Sequence, residues 1–234
     1  MIVFRKVKSL VKIFKEDMKY IFNNPRIALK SMDYEDYWEK MQDIGIKERT
    51  RIFSRIIKPG SRVLDIGCGT GANLKYLVEK NNIIAEGIDV SSTAVAAAQN
   101  RGIKAWVADV TQDKFRVNEG YDYIIISELL EHLPKPEDLL LKIRNSFKSN
   151  LILSVPNIGL YKHRLRLFLG RFPVQWAFHP GEHLRFWTLK DFKLWLDQLG
   201  FRDEEHYPAN GFPVLYKFFP SLFANTVVHV LSKA

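Results

Sequence analysis

The sequence predicts an α/β protein: a three-layer sandwich in which helices cover both faces of a seven-stranded, mostly parallel sheet. Three observations lead there. From Arg49 onward, strand-like apolar runs alternate with helical patterns, and such alternation implies parallel strands with both faces covered. The runs are continuous, as in Tyr121-Asp122-Tyr123-Ile124-Ile125-Ile126 and Leu151-Ile152-Leu153-Ser154-Val155, which suits strands buried on two sides. Residues 63–71 read Val-Leu-Asp-Ile-Gly-Cys-Gly-Thr-Gly, a short strand running into a glycine turn ahead of a helix.

The elements follow in order. Val3, Val7, Leu10, Val11, Phe14, Met18, Ile21 and Phe22 recur at threes and fours, which predicts an amphipathic helix ended by Asn24-Pro25. A second helical piece spans about Tyr34 to Met41; its Tyr34, Tyr37 and Trp38 lie either over a ligand pocket or in the core. Strands are expected at 62–66, 83–88, 103–107, 121–126, 149–154, 201–207 and 226–232, and helices at 47–57, 70–80, 92–101, 136–148 and 188–199. The stretch 156–187 breaks this rhythm and reads as an insertion. The chain thus divides into a basic helical extension or cap, 1–45, and a sandwich domain, 46–234. There is no internal repeat or low-complexity tract.

A length of 234 residues with 47% apolar content suits one domain with a full core. The single cysteine, Cys68, excludes an internal disulfide framework. No secretory pattern is present, so the expected compartment is the cytoplasm. Of the net charge of +9, residues 1–30 hold +6. The excess is local, which argues against a nucleic-acid groove over the whole protein. The basic helix suits an anionic membrane surface, giving a peripheral position, or docking on its own domain or a partner protein.

The glycines at 67, 69 and 71 leave no side chain to block a ligand, and the helix behind them offers free N–H donors. Gly67-x-Gly69-x-x-Ala72 alone would pass as a dinucleotide fingerprint. Asp65 argues otherwise: beside a pyrophosphate its carboxylate is repelled, and beside an ammonium it is attracted. With Asp65 the run resembles the first motif of class I S-adenosylmethionine-dependent methyltransferases. The resemblance implies a Rossmann-like sheet with an antiparallel last strand and S-adenosylmethionine as cofactor. A dinucleotide-dependent oxidoreductase ranks last.

Ligands of open α/β sheets bind beyond the carboxyl ends of the strands. After the second strand, Asp89 can accept both ribose hydroxyls, with Val90 beside it; its alternative role is a cap for the next helix. After the third strand come Asp109 and Val110, which the family resemblance places on the adenine. Cys68, inside the turn, and Ser127, ending the fourth strand, complete the expected cofactor-binding set with Asp65, Gly67, Gly69 and Gly71.

Ser127-Glu128-Leu129-Leu130-Glu131-His132 then follows. Read as a helical turn, it puts Glu128, Glu131 and His132 on one face, where they can bind a divalent cation. His183 is the best further ligand. The Glu-x-x-Glu-His run with a later His is similar to small-RNA 2′-O-methyltransferases, which implies magnesium or manganese held by Glu128, Glu131, His132 and His183. Ubiquinone-pathway O-methyltransferases carry a similar Glu-His run. Without a metal, His132 is the general base, with Glu128 beside it as the other catalytic candidate.

The order Ser154-Val155-Pro156-Asn157-Ile158-Gly159, Arg164-Leu165-Arg166-Leu167 and Thr188-Leu189-Lys190-Asp191-Phe192 looks like the methionine-biosynthesis W family, methyltransferase-like partners of homoserine acyltransferases. The Glu131-His132 pair and the long basic helix depart from that family's pattern and favour the broad small-molecule branch. The insertion, with Tyr161, Lys162, His163, Arg164, Arg166, Phe168, Arg171, Phe172, Trp176 and Phe178, is placed to lid the acceptor pocket. Its arginines either hold an acceptor's phosphate or carboxylate or form a solvated face. The expected function is O-methylation of a small, sugar- or lipid-linked acceptor. The alternatives are a non-catalytic regulatory partner of a biosynthetic enzyme and, third, an RNA 2′-O-methyltransferase.

Overall fold

A computed structural model describes residues 2–22, 33–40, 45–175 and 180–234. Asn24-Pro25, Met41, Trp176 and Phe178, with the side chains of Val3, Val7 and Leu10, lie outside that description. The elements run α1 (Ile2–Phe22), α2 (Tyr34–Lys40), α3 (Glu48–Ile56), β1 (Arg62–Ile66), α4 (Ala72–Asn81), β2 (Ile84–Asp89), α5 (Ser92–Asn100), β3 (Lys104–Val107) and β4 (Tyr121–Ser127). After a single turn, Leu130–His132, come α6 (Pro136–Ile143), β5 (Phe147–Pro156), α7 (Tyr161–Phe168), a second turn Pro180–Glu182, and α8 (Leu189–Gln198). The chain finishes with β6 (Phe201–Gly211), α9 (Leu215–Phe218), α10 (Pro220–Phe223) and β7 (Ala224–Lys233).

The strands form one sheet in the order β3-β2-β1-β4-β5-β7-β6. Neighbours among β1 to β5 pair in parallel, and β7 is antiparallel to both β5 and β6. Side chains alternate between the faces along each strand. Leu64, Ile66, Ile124 and Ile126 pack with Leu139, Ile143, Phe192 and Leu196 from α6 and α8. Val63, Tyr123 and Ile125 pack with Phe53, Leu74, Leu77 and Val95 from α3, α4 and α5. Two cores back to back make the three layers.

Local chemistry sets the boundaries. Ser91 caps α5 by accepting from the Ala94 amide at 3.2 Å, and Thr188 caps α8 from the Asp191 amide at 3.2 Å. Pro136 starts α6. The expected helix 136–148 stops short, because Phe147 is needed as a strand residue: it is buried and pairs with Tyr121. Ser146 makes the break, its amide donating to Ile143 and its hydroxyl to Val117. β6 outruns its expected end at 207, and α9 and α10, which no sequence pattern marked, fill the connection to β7.

α1 lies against α7. Tyr20 bonds His163 at 2.6 Å, Lys162 pairs with Asp17 at 3.2 Å, and Tyr161 donates to Asp17. Arg166, expected as an acceptor-binding or solvated charge, is buried; it donates to the carbonyls of Tyr20, Ile21 and Phe172. Arg171 donates to the Phe22 carbonyl. Two guanidinium groups thus satisfy the carbonyl end of α1, where the helix dipole favours cations. Arg164 bonds the Gly159 carbonyl at 2.6 Å.

Candidate functional site

A crevice of about 900 Å³ opens at the carboxyl ends of β1, β2 and β4. Its floor is the glycine turn. The amides of Gly67 and Cys68 both donate to the Ile88 carbonyl, at 2.8 and 2.9 Å, tying the turn to β2. Gly67 and Gly69 take φ +80° and +53°, where a side chain is strained. A Cβ on Gly69 would clash with the Trp38 indole. Tyr34, Tyr37 and Trp38 all line the crevice, so the pocket position holds for the aromatic trio. α2 is fastened there by Glu35, which accepts from the Ser91 hydroxyl and the Ser92 and Thr93 amides at 2.7, 2.7 and 3.0 Å. Those bonds, Ser91 foremost, hold its carboxyl down at about 2.

Asp65 lies beneath the turn, behind the crevice wall. It is 1% exposed, and neither carboxylate oxygen has a hydrogen-bond partner among the described residues. Burial, and then the Asp89 charge, push its pKa up to about 7, with Arg49 opposing. That rise corresponds to ~4 kcal/mol against the ionised form. A cation brought close would reverse it.

Asp89 accepts from the Gly69 amide at 2.8 Å and the Ser91 amide at 3.0 Å, and it lines the crevice. It orders the turn and the start of α5 together, and each oxygen keeps a lone pair for a ligand hydroxyl. Asp109 and Val110 also line the crevice. Hydrogen bonds from Gln112 and Thr111 hold the Asp109 carboxyl below its ordinary value. Val90 stands exposed on the same wall. Cys68 is buried and its thiol is pushed up by burial, so it is no nucleophile; it packs where a Cβ on Gly87 would meet its sulfur at 2.7 Å.

Gly71 departs from the expected ligand-facing role. It is not on the crevice wall; a Cβ there would meet Ala98 Cβ at 2.9 Å, and its φ is +74°. The glycine is needed for the close approach of α4's first turn to α5.

The helical face expected over 128–132 does not form. Glu128 takes φ +55°, its amide donates to the Ser154 carbonyl, and its carboxylate accepts from the Ser154 hydroxyl at 3.1 Å. Only Leu130–His132 turn helically. The donor atoms of Glu131, His132 and His183 lie within 4.8 Å of one another, and Glu128 is outside that cluster. Main-chain bonds bring His183 in: Leu184 and Arg185 amides donate to the Glu131 carbonyl at 2.7 and 3.1 Å. His132 Nδ1 donates to the Glu182 carbonyl at 2.5 Å, which leaves Nε2 as the acceptor.

Burial dominates this cluster. It drives the Glu131 carboxyl well up, with the Glu128 charge second, and lowers both histidines, His183 to about 4. Glu131 Oε2 and His183 Nδ1 are buried without a partner among the described residues. Ser127 is occupied, receiving Arg49 Nε at 3.0 Å and lying 3.0 Å from the Ser154 hydroxyl. Arg49 and Lys47, on the crevice wall at the start of α3, carried no signal in the sequence beyond lying just ahead of β1.

The fold and the crevice are those of a class I S-adenosylmethionine-dependent methyltransferase. A methyltransferase structure from Archaeoglobus fulgidus superposes with a TM-score of 0.62 at 20% identity, over 86% of this chain and 98% of that one. The particular family follows from the sequence. The chain belongs to the family described as methionine biosynthesis protein MetW, whose profile matches residues 47–231. The departures noted in the sequence do not exclude membership, and α1 lies ahead of the matched segment. Human probable tRNA methyltransferase 9B is 42% identical over 84 residues, 36% of this chain and 18% of that protein. The ubiquinone biosynthesis O-methyltransferase of Neisseria meningitidis serogroup C is 26% identical over 145 residues, 56% of this chain and 61% of that one. The matched segments thus span less than two thirds of these relatives.

Proposed function

We propose that this chain binds S-adenosylmethionine and transfers its methyl group to a hydroxyl oxygen of a small, sugar- or lipid-linked acceptor. One observation carries the reading: a buried, unpartnered carboxylate, Asp65, lies under a positive-φ glycine turn, with Asp89 and Asp109 at the next two strand ends. An ammonium group answers Asp65, the ribose diol answers Asp89, and the adenine amino group answers Asp109 between the apolar faces of Val90 and Val110. Arg49 and Lys47 are placed to take the carboxylate of the amino-acid tail. Gly67 and Gly69 give backbone access, and Trp38 covers the turn.

When bound, the cofactor supplies an activated methyl group, so the protein's task is alignment and proton removal. With no ion bound, His132 Nε2 takes the acceptor's proton, with Nδ1–H held on the Glu182 carbonyl. Glu131, His132 and His183 also fit a divalent cation such as magnesium or manganese: two donor atoms lack partners, and His132 has the backbone-bonded second nitrogen usual in ligands. An ion there would lower the pKa of the acceptor hydroxyl. Glu128 stands near as a carboxylate and not as one of the clustered ligands.

Calorimetric titration with S-adenosylhomocysteine tests the reading. Binding in the micromolar range that Asp89→Ala weakens at least about tenfold is expected; no binding overturns it. Family membership favours a second reading, a methyltransferase-like partner of a biosynthetic enzyme. That reading expects cofactor binding without turnover on any hydroxyl acceptor, and stable co-purification with an enzyme.

A further inference from the structure

We propose that the outward face of α1 docks on an anionic phospholipid bilayer. At 3.6 residues per turn, Val11, Phe14, Met18 and Phe22 fall on one stripe of α1. Phe14 and Phe22 are 60% and 58% exposed. One flank of the stripe is the docked edge: Asp17 and Ile21 are buried against α7. The other flank is Lys12, Lys15 and Lys19, all exposed. The helix has therefore already used one face for its own domain and still presents a second, apolar one edged with cations.

Phe168 on α7 is 85% exposed and Phe218 on α9 is 71% exposed. Tyr161, at the start of α7, donates to Asp17 of α1 and touches the rings of Phe212, ahead of α9, and Phe223, the last residue of α10.

Charge complementarity selects the occupant. Residues 1–30 hold most of the chain's excess positive charge, +6 of +9. An apolar stripe beside a lysine row matches acyl chains beside lipid phosphates, and attraction to anionic lipid accumulates with each lysine near the surface. The helix is preformed and clamped by Arg166 and Arg171, so binding requires no ordering of it. The same insertion that carries α7 also puts Gln175, Glu182 and His183 on the crevice wall.

The test is flotation of the full chain with vesicles of phosphatidylcholine alone and of phosphatidylcholine with one-third phosphatidylglycerol. It needs no cofactor or acceptor, so its outcome is independent of the methyl-transfer reading. Binding to the anionic vesicles alone is expected, weakening as salt rises. Phe14→Ser with Phe22→Ser should lower the partition at least about tenfold. Reversal of Lys12, Lys15 and Lys19 to Glu should do the same. Melting temperatures should stay near the parent's, because the substituted side chains are exposed. Three results overturn the proposal: no flotation with anionic vesicles, equal flotation with both kinds, or a dimer in light scattering that the Phe14→Ser, Phe22→Ser variant dissolves. The last would make a second copy the occupant.

Discussion

His132, from the turn after β4, and His183, from the far end of the insertion, meet edge to face with ring centroids 4.8 Å apart. Burial lowers the pKa of both rings and raises that of the Glu131 carboxyl beside them. The arrangement rests on backbone bonds between the two segments, so it does not depend on a long side chain finding its place.

Substitution separates the two chemical roles of this cluster. His132→Ala is expected to cut methyl transfer by about 10²–10⁴-fold, the range for a lost general base, with S-adenosylhomocysteine affinity within about threefold of the parent. If a cation acts there, His183→Ala and a chelator each produce a comparable loss, and manganese or magnesium restores the chelated protein. Full activity in chelator would leave His132 as base alone.

Asp65→Asn exposes a trade between stability and binding. The folded-state pKa is raised from 3.8 to about 7. Raised in this direction, the group's penalty is absent below pH ~4, grows through the interval and is complete above pH ~7. Urea denaturation should therefore show the variant more stable at pH 8, by up to ~4 kcal/mol, with the gain vanishing as the pH approaches 4. Titration at pH 8 should show cofactor affinity reduced about tenfold or more. A variant less stable than the parent at pH 8 would contradict the unpartnered burial of this carboxylate.

Gly71→Ala tests the packing role. The added Cβ meets Ala98 Cβ at 2.9 Å and Cα at 3.1 Å, on a residue with φ +74°. Neither the Ala98 Cα nor the Cβ fixed to it can rotate away. A loss of about 1–3 kcal/mol in urea denaturation is expected, from overpacking and backbone strain together.

Arg166→Ala should loosen α1. Its guanidinium reaches the carbonyls of Tyr20 and Ile21 on α1 and of Phe172 in the insertion. Leaving such groups without a partner costs about 1–3 kcal/mol. Limited trypsin digestion should cleave faster at Lys12, Lys15 and Lys19, while the sandwich domain keeps its midpoint in denaturant. Cleavage at the parent's rate would show that the α1–α7 contact stands without the clamp.

The strand–glycine turn–helix at 63–79 was readable because every requirement in it is local. An apolar strand, a run of positive-φ positions and a helix start are written within a few residues of one another. The three aspartates were readable for the same reason, each being the residue at or just past a strand's end. Legibility failed where a residue's conformation is set across the sheet. Glu128 has nothing in its neighbours to forbid a helix; the Ser154 carbonyl and hydroxyl on β5 draw it into φ +55°. Phe147 sits in a plausible helical register, and pairing with Tyr121 makes it a strand.

By itself, the sequence determined the three-layer architecture and the run of acids along the strand ends, since hydrophobic period and glycine placement are properties of short segments. Tertiary structure alone decided which charges are spent and which are left over. Arg166 and Glu35 are consumed by helix termini from distant parts of the chain, whereas Asp65, Glu131 and His183 keep buried atoms without partners. Partnership of a buried polar group depends on what packing brings within about 3 Å of it, and no linear pattern encodes that distance.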